Sequence, residues 1–150
     1  MGRRINEILM VEDSANDCEL TLGALAEDSL ASHVVVVNDG AEALDYLYRR
    51  GAFTGREGAN PILLLLDLKM PKVNGLEVLR AMKGSPELTD IPVVMLSSSC
   101  EELDLKEAQT LGANAYVVKP VRFQDFVDAV KTIGKFWVGL NVLRPPGGEE

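Results

Sequence analysis

Three carboxylates stand directly after two apolar segments of this 150-residue chain. Asp67 follows the aliphatic run at residues 62–66, and Glu12 and Asp13 follow the apolar-rich run at residues 5–11. Five consecutive aliphatic residues predict a strand buried on both faces, and parallel strands bind ligands at their carboxyl ends. A buried carboxylate needs a cation to offset the loss of its hydration. Taken alone, Asp67 is therefore equally consistent with an exposed strand end and with a site that holds a metal ion or a reagent. The second acidic strand end favours a site for a divalent metal ion.

Two more apolar segments end in side chains that can bind phosphoryl oxygens. Residues 92–96 lead to Ser97, and residues 115–118 lead to Lys119. A hydroxyl donates a hydrogen bond to one phosphoryl oxygen, and an ammonium supplies a point charge for another. Taken singly, Ser97 is also explained as a helix cap and Lys119 as a solvated lysine. Together with the three carboxylates, they predict a phosphoryl site at one edge of the sheet.

The segments that must position these side chains alternate between apolar strands and helices. Strict alternation predicts a parallel sheet with helices on both faces, which is a doubly wound α/β fold. The predicted strands cover residues 5–11, 33–37, 62–66, 92–96 and 115–118. The predicted helices begin near Ala15, Gly40, Asn74, Ser98 or Ser99, and Arg122. The first helix is expected to run to Asp28, with a capping box formed by Ser14 and Asp17.

Apolar residues recur at helical spacing and predict the helix faces that meet the sheet. They are Cys18, Leu22 and Leu25; Ala43, Leu44 and Leu47; Leu76, Leu79 and Met82; Leu105, Ala108 and Leu111; and Phe123, Phe126, Val127, Val130 and Ile133. Residues 51–60 are expected to form a polar loop that is longer than most connections of this kind.

Composition restricts the classes of function. The length predicts one domain over residues 1–137, followed by a C-terminal extension at residues 138–150. A net charge of −8 without a Lys/Arg-rich run argues against nucleic-acid binding. With no apolar run of transmembrane length and no signal peptide, we expect a cytoplasmic protein that does not bind membranes. Cys18 and Cys100 lack metal-ligand spacing and are expected to be reduced thiols.

These motifs, taken in order, resemble the signature of receiver domains from two-component response regulators. The resemblance extends from about residue 6 to residue 137. The family pattern Asp-x-x-Met-Pro-x-x-x-Gly is present from Asp67 to Gly75. The other signature positions hold the acidic pair Glu12-Asp13, the hydroxyl of Ser97, the aromatic Tyr116 and the pair Lys119-Pro120. Five separate motifs in the family's order make the resemblance specific.

The resemblance implies a phosphoacceptor site. Asp67 would accept a phosphoryl group from a phosphohistidine of a histidine kinase. Mg²⁺ would be held by Asp13, Asp67 and the backbone carbonyl of Lys69, with Glu12 acting through metal-bound water. Lys119 would neutralise a phosphoryl oxygen.

The resemblance also implies how the signal leaves the site. Ser97 would hydrogen-bond the phosphoryl group, and Tyr116 would turn inward, which would change the surface around the last two helices. The implied fold is the CheY-like or flavodoxin-like sheet of five parallel strands in the order 2-1-3-4-5, with five helices. The protein would be a signalling domain rather than an enzyme, and would catalyse only its own phosphorylation and dephosphorylation.

Other functions fit parts of the pattern. A phosphorelay shuttle would use the same site to pass the phosphoryl group to a histidine-phosphotransfer protein. A metal-dependent phosphatase of the haloacid-dehalogenase type also has an Asp nucleophile after a strand, but needs a second acid where Lys69 stands. In a flavodoxin-like electron carrier, Glu12 and Asp13 would repel the flavin phosphate. A receiver that only binds partners would lack at least one site residue, and all of them are present here. If these side chains were only solvated strand-end residues, we would not expect all of them to occur in the same chain.

Two less specific features resemble the stand-alone regulators that serve bacterial phytochrome kinases. They are the loop at residues 51–60 and the apolar segment at residues 136–145, which contains Phe136 and Trp137. Apolar area at a terminus either packs on its own domain or forms an interface with a second copy. We expect a homodimer, because five helices already cover the sheet. The resemblance to those regulators makes a phytochrome kinase the expected phosphoryl donor.

Overall fold

The computed structural model describes residues 7–25, 34–70, 73–98 and 102–131. Within these ranges, five parallel strands form one sheet in the order β2-β1-β3-β4-β5. The strands are β1 (Ile8–Val11), β2 (Val34–Val37), β3 (Leu63–Asp67), β4 (Val93–Ser97) and β5 (Ala115–Val118). The predicted doubly wound fold and its strand order are therefore confirmed.

The three central strands are buried on both faces because their side chains alternate between two hydrophobic clusters. Leu9 and Leu64 contribute to one cluster, and Met10 and Leu65 contribute to the other. Every residue of β1, β3 and β4 is buried. Helices cover both faces of the sheet, so an uninterrupted aliphatic run folds here as a strand.

Five α-helices connect or follow the strands in the described ranges. They are α1 (Ala15–Leu25), α2 (Gly40–Tyr48), α3 (Gly75–Lys83), α4 (Glu102–Thr110) and α5 (Phe123–Lys131). Asp39 caps α2 by accepting the backbone N–H of Glu42 at 2.8 Å. Asn74 and Glu77 form a complete capping box at the start of α3. Both caps stand where a helix begins after a strand, so α2 and α3 start beside the carboxyl edge of the sheet.

Some predicted boundaries and orientations are wrong. Strand β1 begins at Ile8 rather than at residue 5, because Glu7 already lies outside the strand. Strand β3 runs from Leu63 through Asp67 rather than over residues 62–66. The loop predicted at residues 51–60 opens with a 3-10 turn at Gly51–Phe53. Leu105 is 36 % exposed rather than turned to the core, because α4 is buried through Ala108 instead.

Several predicted features lie outside the described residues. They are the end of the first helix at residues 26–28, the first residue of the predicted second strand (His33), Pro71, Ser99, Cys100, Ile133, the domain boundary at residue 137 and the apolar segment at residues 136–145. Among the helices that the structure describes, none has the length and apolar character that crossing a membrane requires.

Candidate functional site

The parallel register brings the three carboxylates together at the carboxyl edge of the sheet. Val11 at the end of β1 is in register with Leu66 of β3, so Glu12 and Asp67 extend from neighbouring strands. Glu12 and Asp67 are buried, at 2 % and 5 % exposure, whereas Asp13 is exposed. Carboxylate oxygens from all three residues lie within 4.8 Å of one another. The clustering that the sequence predicts is therefore present.

Lys119 enters this cluster from the end of β5. Its backbone N–H donates to the Ser97 carbonyl at 2.8 Å, which continues the pairing of β4 with β5. The ammonium Nζ lies 2.7 Å from Glu12 Oε1 and 3.1 Å from Asp67 Oδ1. A third carboxylate, Asp17 of α1, has Oδ2 at 3.0 Å from the same nitrogen. Lys119 is thus surrounded by negative charge at the edge of the sheet.

Burial and the neighbouring charges shift the pKa values of both central groups. Burial, and then the negative charge of Glu12, raise the pKa of Asp67 to about 7, against the opposing effect of Lys119. Burial lowers the pKa of Lys119, but hydrogen bonds to Glu12, Asp17 and Asp67 outweigh it and raise that pKa above its ordinary value. Lys119 therefore stays charged, while one ammonium does not fully offset the carboxylates around it.

The carboxylate cluster fits a hard divalent cation. Mg²⁺ prefers oxygen ligands, and carboxylates are the usual protein groups that hold it. Burial, and then the charge of Glu12, raise the pKa of Asp67, so a cation bound beside its carboxylate would favour the ionised form. Glu12 Oε1 forms an ion pair with Lys119 Nζ at 2.7 Å, and Glu12 Oε2 accepts the Ser14 backbone N–H at 3.2 Å.

The remaining predicted residues lie on β4 and β5 or shortly after β3. Ser97 is the last residue of β4 and is 2 % exposed. Tyr116 is half-buried in β5, where it packs against a hydrophobic cluster and borders a surface cavity of about 240 Å³ that Leu105 also lines. The side chain of Lys69 is exposed. Ser97 and Tyr116 thus lie on β4 and β5, the strands that pair beside the carboxylate cluster.

Gly75 explains why the segment after Asp67 needs a glycine. Its N–H donates to the Leu68 carbonyl at 2.9 Å. A β-carbon at Gly75 would overlap the backbone carbonyl oxygen of Asp67. The last residue of the Asp67–Gly75 motif thus allows α3 to start directly against the end of β3.

Sequence reasoning missed the position of Asp17 relative to Lys119. Its place three residues after Ser14 predicted a capping box, and the structure contains only half of it: Ser14 Oγ accepts the Asp17 backbone N–H at 3.2 Å. The Ser14 N–H donates to Glu12 instead of Asp17. Asp17 lies about one helical turn after the acidic strand end at Glu12 and Asp13. That position was the available signal that Asp17 makes a tertiary contact in addition to its contact with Ser14.

Comparison with known proteins shows the family to which the chain belongs. The model of the response regulator receiver domain matches residues 8–131, from the start of β1 to the end of α5. The chain belongs to the response regulator receiver domain family. Receiver domains are signalling domains rather than enzymes; they partner with histidine kinases and are phosphorylated on an aspartate. The phosphatase and electron-carrier interpretations gain no support from this match.

Two curated relatives match this chain over most of their own length. The probable methanogenesis regulatory protein FilR2 of Methanothrix harundinacea is 39 % identical over 140 residues, which are 93 % of this chain and 87 % of that protein. Response regulator Rcp1 of a Synechocystis species is 35 % identical over 131 residues, which are 87 % of this chain and 88 % of that protein.

Solved structures of receiver domains superimpose closely. The bacteriophytochrome response regulator AtBRR is 54 % identical with a TM-score of 0.81, and the match covers 88 % of this chain and 94 % of that one. The bacteriophytochrome response regulator RtBRR is 56 % identical with a TM-score of 0.80, covering 87 % and 78 %. A Mn²⁺-bound form of Rcp1 is 35 % identical with a TM-score of 0.71, covering 88 % and 94 %.

Proposed function

We propose that this receiver domain accepts a phosphoryl group on Asp67 from a histidine kinase and signals through the resulting change of its surface. The observation that carries the proposal is the position of the Asp67 carboxylate, 3.1 Å from the Lys119 ammonium and beside Glu12 and Asp13. A nucleophilic oxygen, a fixed cation and two further carboxylates at one strand end are the parts that aspartyl phosphorylation needs.

In the proposed reaction, an Asp67 oxygen attacks the phosphorus of a phosphohistidine. The oxygen–phosphorus bond forms as the phosphorus–nitrogen bond breaks, and its electron pair stays with the imidazole. The other ring nitrogen carries a proton, so neutral imidazole leaves. Such transfers have a loose transition state with charge on the equatorial oxygens, so Lys119 contributes by position and charge. Hydrolysis of the acyl phosphate would return the Asp67 carboxylate and inorganic phosphate.

The cation belongs to the same proposal. Asp13, Asp67 and the Lys69 backbone carbonyl would hold Mg²⁺, with Glu12 acting through water. When bound, Mg²⁺ would supply positive charge against the phosphoryl oxygens. Burial of Asp67 beside Glu12 supports this assignment, because an ionised Asp67 is disfavoured there without added positive charge.

Ser97 and Tyr116 would convert phosphorylation into a change of surface. Ser97 would donate its hydroxyl to a phosphoryl oxygen, and the segment after β4 would follow it inward. Tyr116 is half-buried beside an open cavity, so its ring has room to move as that segment shifts. The altered surface would then lie around α4, β5 and α5.

A bacteriophytochrome histidine kinase is the proposed phosphoryl donor. Support comes from two similar structures, at 54 % and 56 % identity, that are described as bacteriophytochrome response regulators. A cytoplasmic location follows from this partnership, since histidine kinases phosphorylate from ATP inside the cell. Preference for a phytochrome kinase over an unrelated histidine kinase in a phosphotransfer assay would support the donor; equal rates would contradict it.

The proposal also includes a homodimer formed through the segment beyond the receiver domain, which we place at residues 138–150 with the domain ending at residue 137. Light scattering with Mg²⁺, before and after addition of the phosphate mimic beryllofluoride, measures the mass directly. A dimer that responds to the mimic would make association the output. A monomer under both conditions would contradict this part of the proposal.

Phosphorylation of Asp67 is tested with acetyl phosphate and Mg²⁺ on the purified chain. Borohydride reduces an aspartyl phosphate, and mass spectrometry then locates the modified residue. We expect modification at residue 67 in the wild type and in Asp45→Asn, whose acid lies on α2 and pairs with Arg50. Asp67→Asn should remain unmodified. Modification elsewhere, or none in the presence of Mg²⁺, would contradict the proposal.

A further inference from the structure

The Lys119 ammonium carries three N–H groups, and three carboxylates surround it. Glu12, Asp17 and Asp67 lie 2.7, 3.0 and 3.1 Å from Nζ. Among the described residues, the carboxylate cluster that fits a metal consists of Glu12, Asp13 and Asp67 and does not include Asp17. Asp17 is therefore the partner of Lys119 that a cation in the cluster would leave in place.

The N-terminus of α1 is arranged so that the Asp17 carboxylate stays available. In α3, the equivalent acid Glu77 turns back and accepts the Asn74 backbone N–H at 2.9 Å, which completes a capping box. In α1, Glu12 takes the corresponding N–H of Ser14. The Asp17 backbone is still fixed to Ser14 Oγ, so its side chain is held near the helix start and directed to Lys119.

We propose that Asp17 is a positioning residue that holds the Lys119 ammonium against the phosphoryl group on Asp67; this inference rests on the proposed function of Asp67. A lysine side chain is a flexible stem, and its charge acts on the reaction only where the ammonium is fixed. Phosphorylation turns the Asp67 carboxylate into an acyl phosphate, so the negative charge that faces Lys119 moves to the phosphoryl oxygens, and Glu12 would also serve the cation. Asp17 continues to hold Lys119 while one N–H turns to the phosphoryl oxygen.

The partial burial of Lys119 and Asp17 sets the expected size of the effect on the rate of phosphorylation. The Lys119 side chain is 10 % exposed and that of Asp17 is 37 % exposed, so solvent screens the contact in part. Removing the Asp17 charge is expected to slow phosphorylation of Asp67 by roughly three- to tenfold. Mg²⁺ affinity should change less than the rate, because Asp17 lies outside the metal cluster.

The test compares initial rates of phosphorylation by acetyl phosphate and dissociation constants for Mg²⁺ from calorimetry. Asp17→Asn keeps the size and the backbone contact to Ser14 but loses the charge. Glu19→Gln removes an exposed acid from the same helix and is the matched control. Asp17→Glu restores the charge, and Asp17→Ser replaces the Asn variant if that variant does not fold.

A double-mutant cycle separates positioning from helix stabilisation. We expect Asp17→Asn to be slow, Glu19→Gln to be normal and Asp17→Glu to regain part of the rate. In a Lys119→Gln background, Asp17→Asn should have no further effect, because there is no ammonium left to position. An equal slowing in both backgrounds, a parallel loss of Mg²⁺ affinity or an unchanged Asp17→Asn rate would each overturn the inference.

The same assay distinguishes this inference from the proposed function. If the wild type is phosphorylated on Asp67 and Asp17→Asn reacts at the same rate, the role of Asp17 fails while the proposed function stands. If the wild type is not phosphorylated on Asp67, both fail together.

Discussion

Gly40, the first residue of α2, lies directly against the backbone carbonyl of Val73, in the segment between β3 and α3. A β-carbon at Gly40 would overlap the Val73 carbonyl oxygen. The close contact joins the start of α2 to the segment that follows Asp67. The segment after β3 is thus supported by the start of α2 as well as by β3 itself.

Gly40→Ala is therefore expected to destabilise the fold. The two nearest obstructing atoms are backbone, which cannot swing aside, so the loss should be on the order of 1 to 3 kcal/mol in urea unfolding. Gly23→Ala is the matched control, because nothing lies within 4 Å of a β-carbon there and Gly23 lies inside α1. That change should stabilise by roughly 0.5 to 1 kcal/mol. Equal effects at both positions would contradict the contact.

The raised pKa of Asp67 predicts a pH-dependent stability for the metal-free protein. The folded state keeps the Asp67 proton up to a pH of about 7, whereas the unfolded chain releases it near its ordinary pKa of 3.8. The folded state therefore binds more protons in this window, and the stability from this group is lost as pH rises through about 7. Asp67→Asn removes this loss.

The unfolding free energy of Asp67→Asn should thus increase relative to the wild type as pH rises. In a chelator, urea unfolding at about pH 5 and about pH 8 should show a relative gain on the order of 1 to 3 kcal/mol. Asp45→Asn, which removes a partly exposed acid, should show little change between the two conditions. A relative stability of Asp67→Asn that falls with pH would reverse the sign and refute the prediction.

Mg²⁺ should raise the melting temperature because it binds the folded cluster and not the unfolded chain. At a concentration 100-fold above its dissociation constant, the expected stabilisation is about 2.7 kcal/mol. Asp13→Asn removes an exposed ligand oxygen from the cluster and should lose most of this shift. Asp45→Asn should keep it, and a chelator should abolish it in every variant. A wild-type melting temperature that ignores Mg²⁺ would count against the cluster as a metal site.

The capping box of α3 predicts a local loss of stability on mutation. Asn74 accepts the Glu77 backbone N–H at 3.0 Å, and Glu77 accepts the Asn74 N–H at 2.9 Å. Asn74→Ala should lower the unfolding free energy by about 1 kcal/mol, because a backbone donor loses its partner. Asn74→Ser keeps an N-cap oxygen and should lose only part of that amount. Identical losses for both variants would show that the oxygen does not cap the helix.

The strands and the site residues were predictable because local sequence decides both. The aliphatic run at residues 62–66 has no polar face, so it specifies a strand covered on both sides, and β3 follows it closely. The acids and Lys119 come next in sequence after such runs, so the parallel register alone gathers them. The strand order was implied by the family resemblance rather than by the residues.

The remaining details depend on tertiary contacts that no local pattern encodes. Asp17 fits a capping box equally well by sequence, and only the arrival of Lys119 shows where its carboxylate goes. Leu105 has helical spacing, but Ala108 is the residue that α4 buries. Tyr46 was missed as a core residue because its hydroxyl is polar; the structure pairs that hydroxyl with Glu7 and buries the ring.

The hydrogen bond between Lys119 and Asp17 joins residues that are 102 positions apart. A chain emerging from the ribosome therefore contains Asp67 and its acidic neighbours long before it contains the ammonium that faces them. Until β5 has been synthesised and has paired with β4, the carboxylates lack the Lys119 ammonium. We therefore expect unfinished or truncated chains that lack β5 to accept phosphoryl groups poorly, even though they contain Asp67.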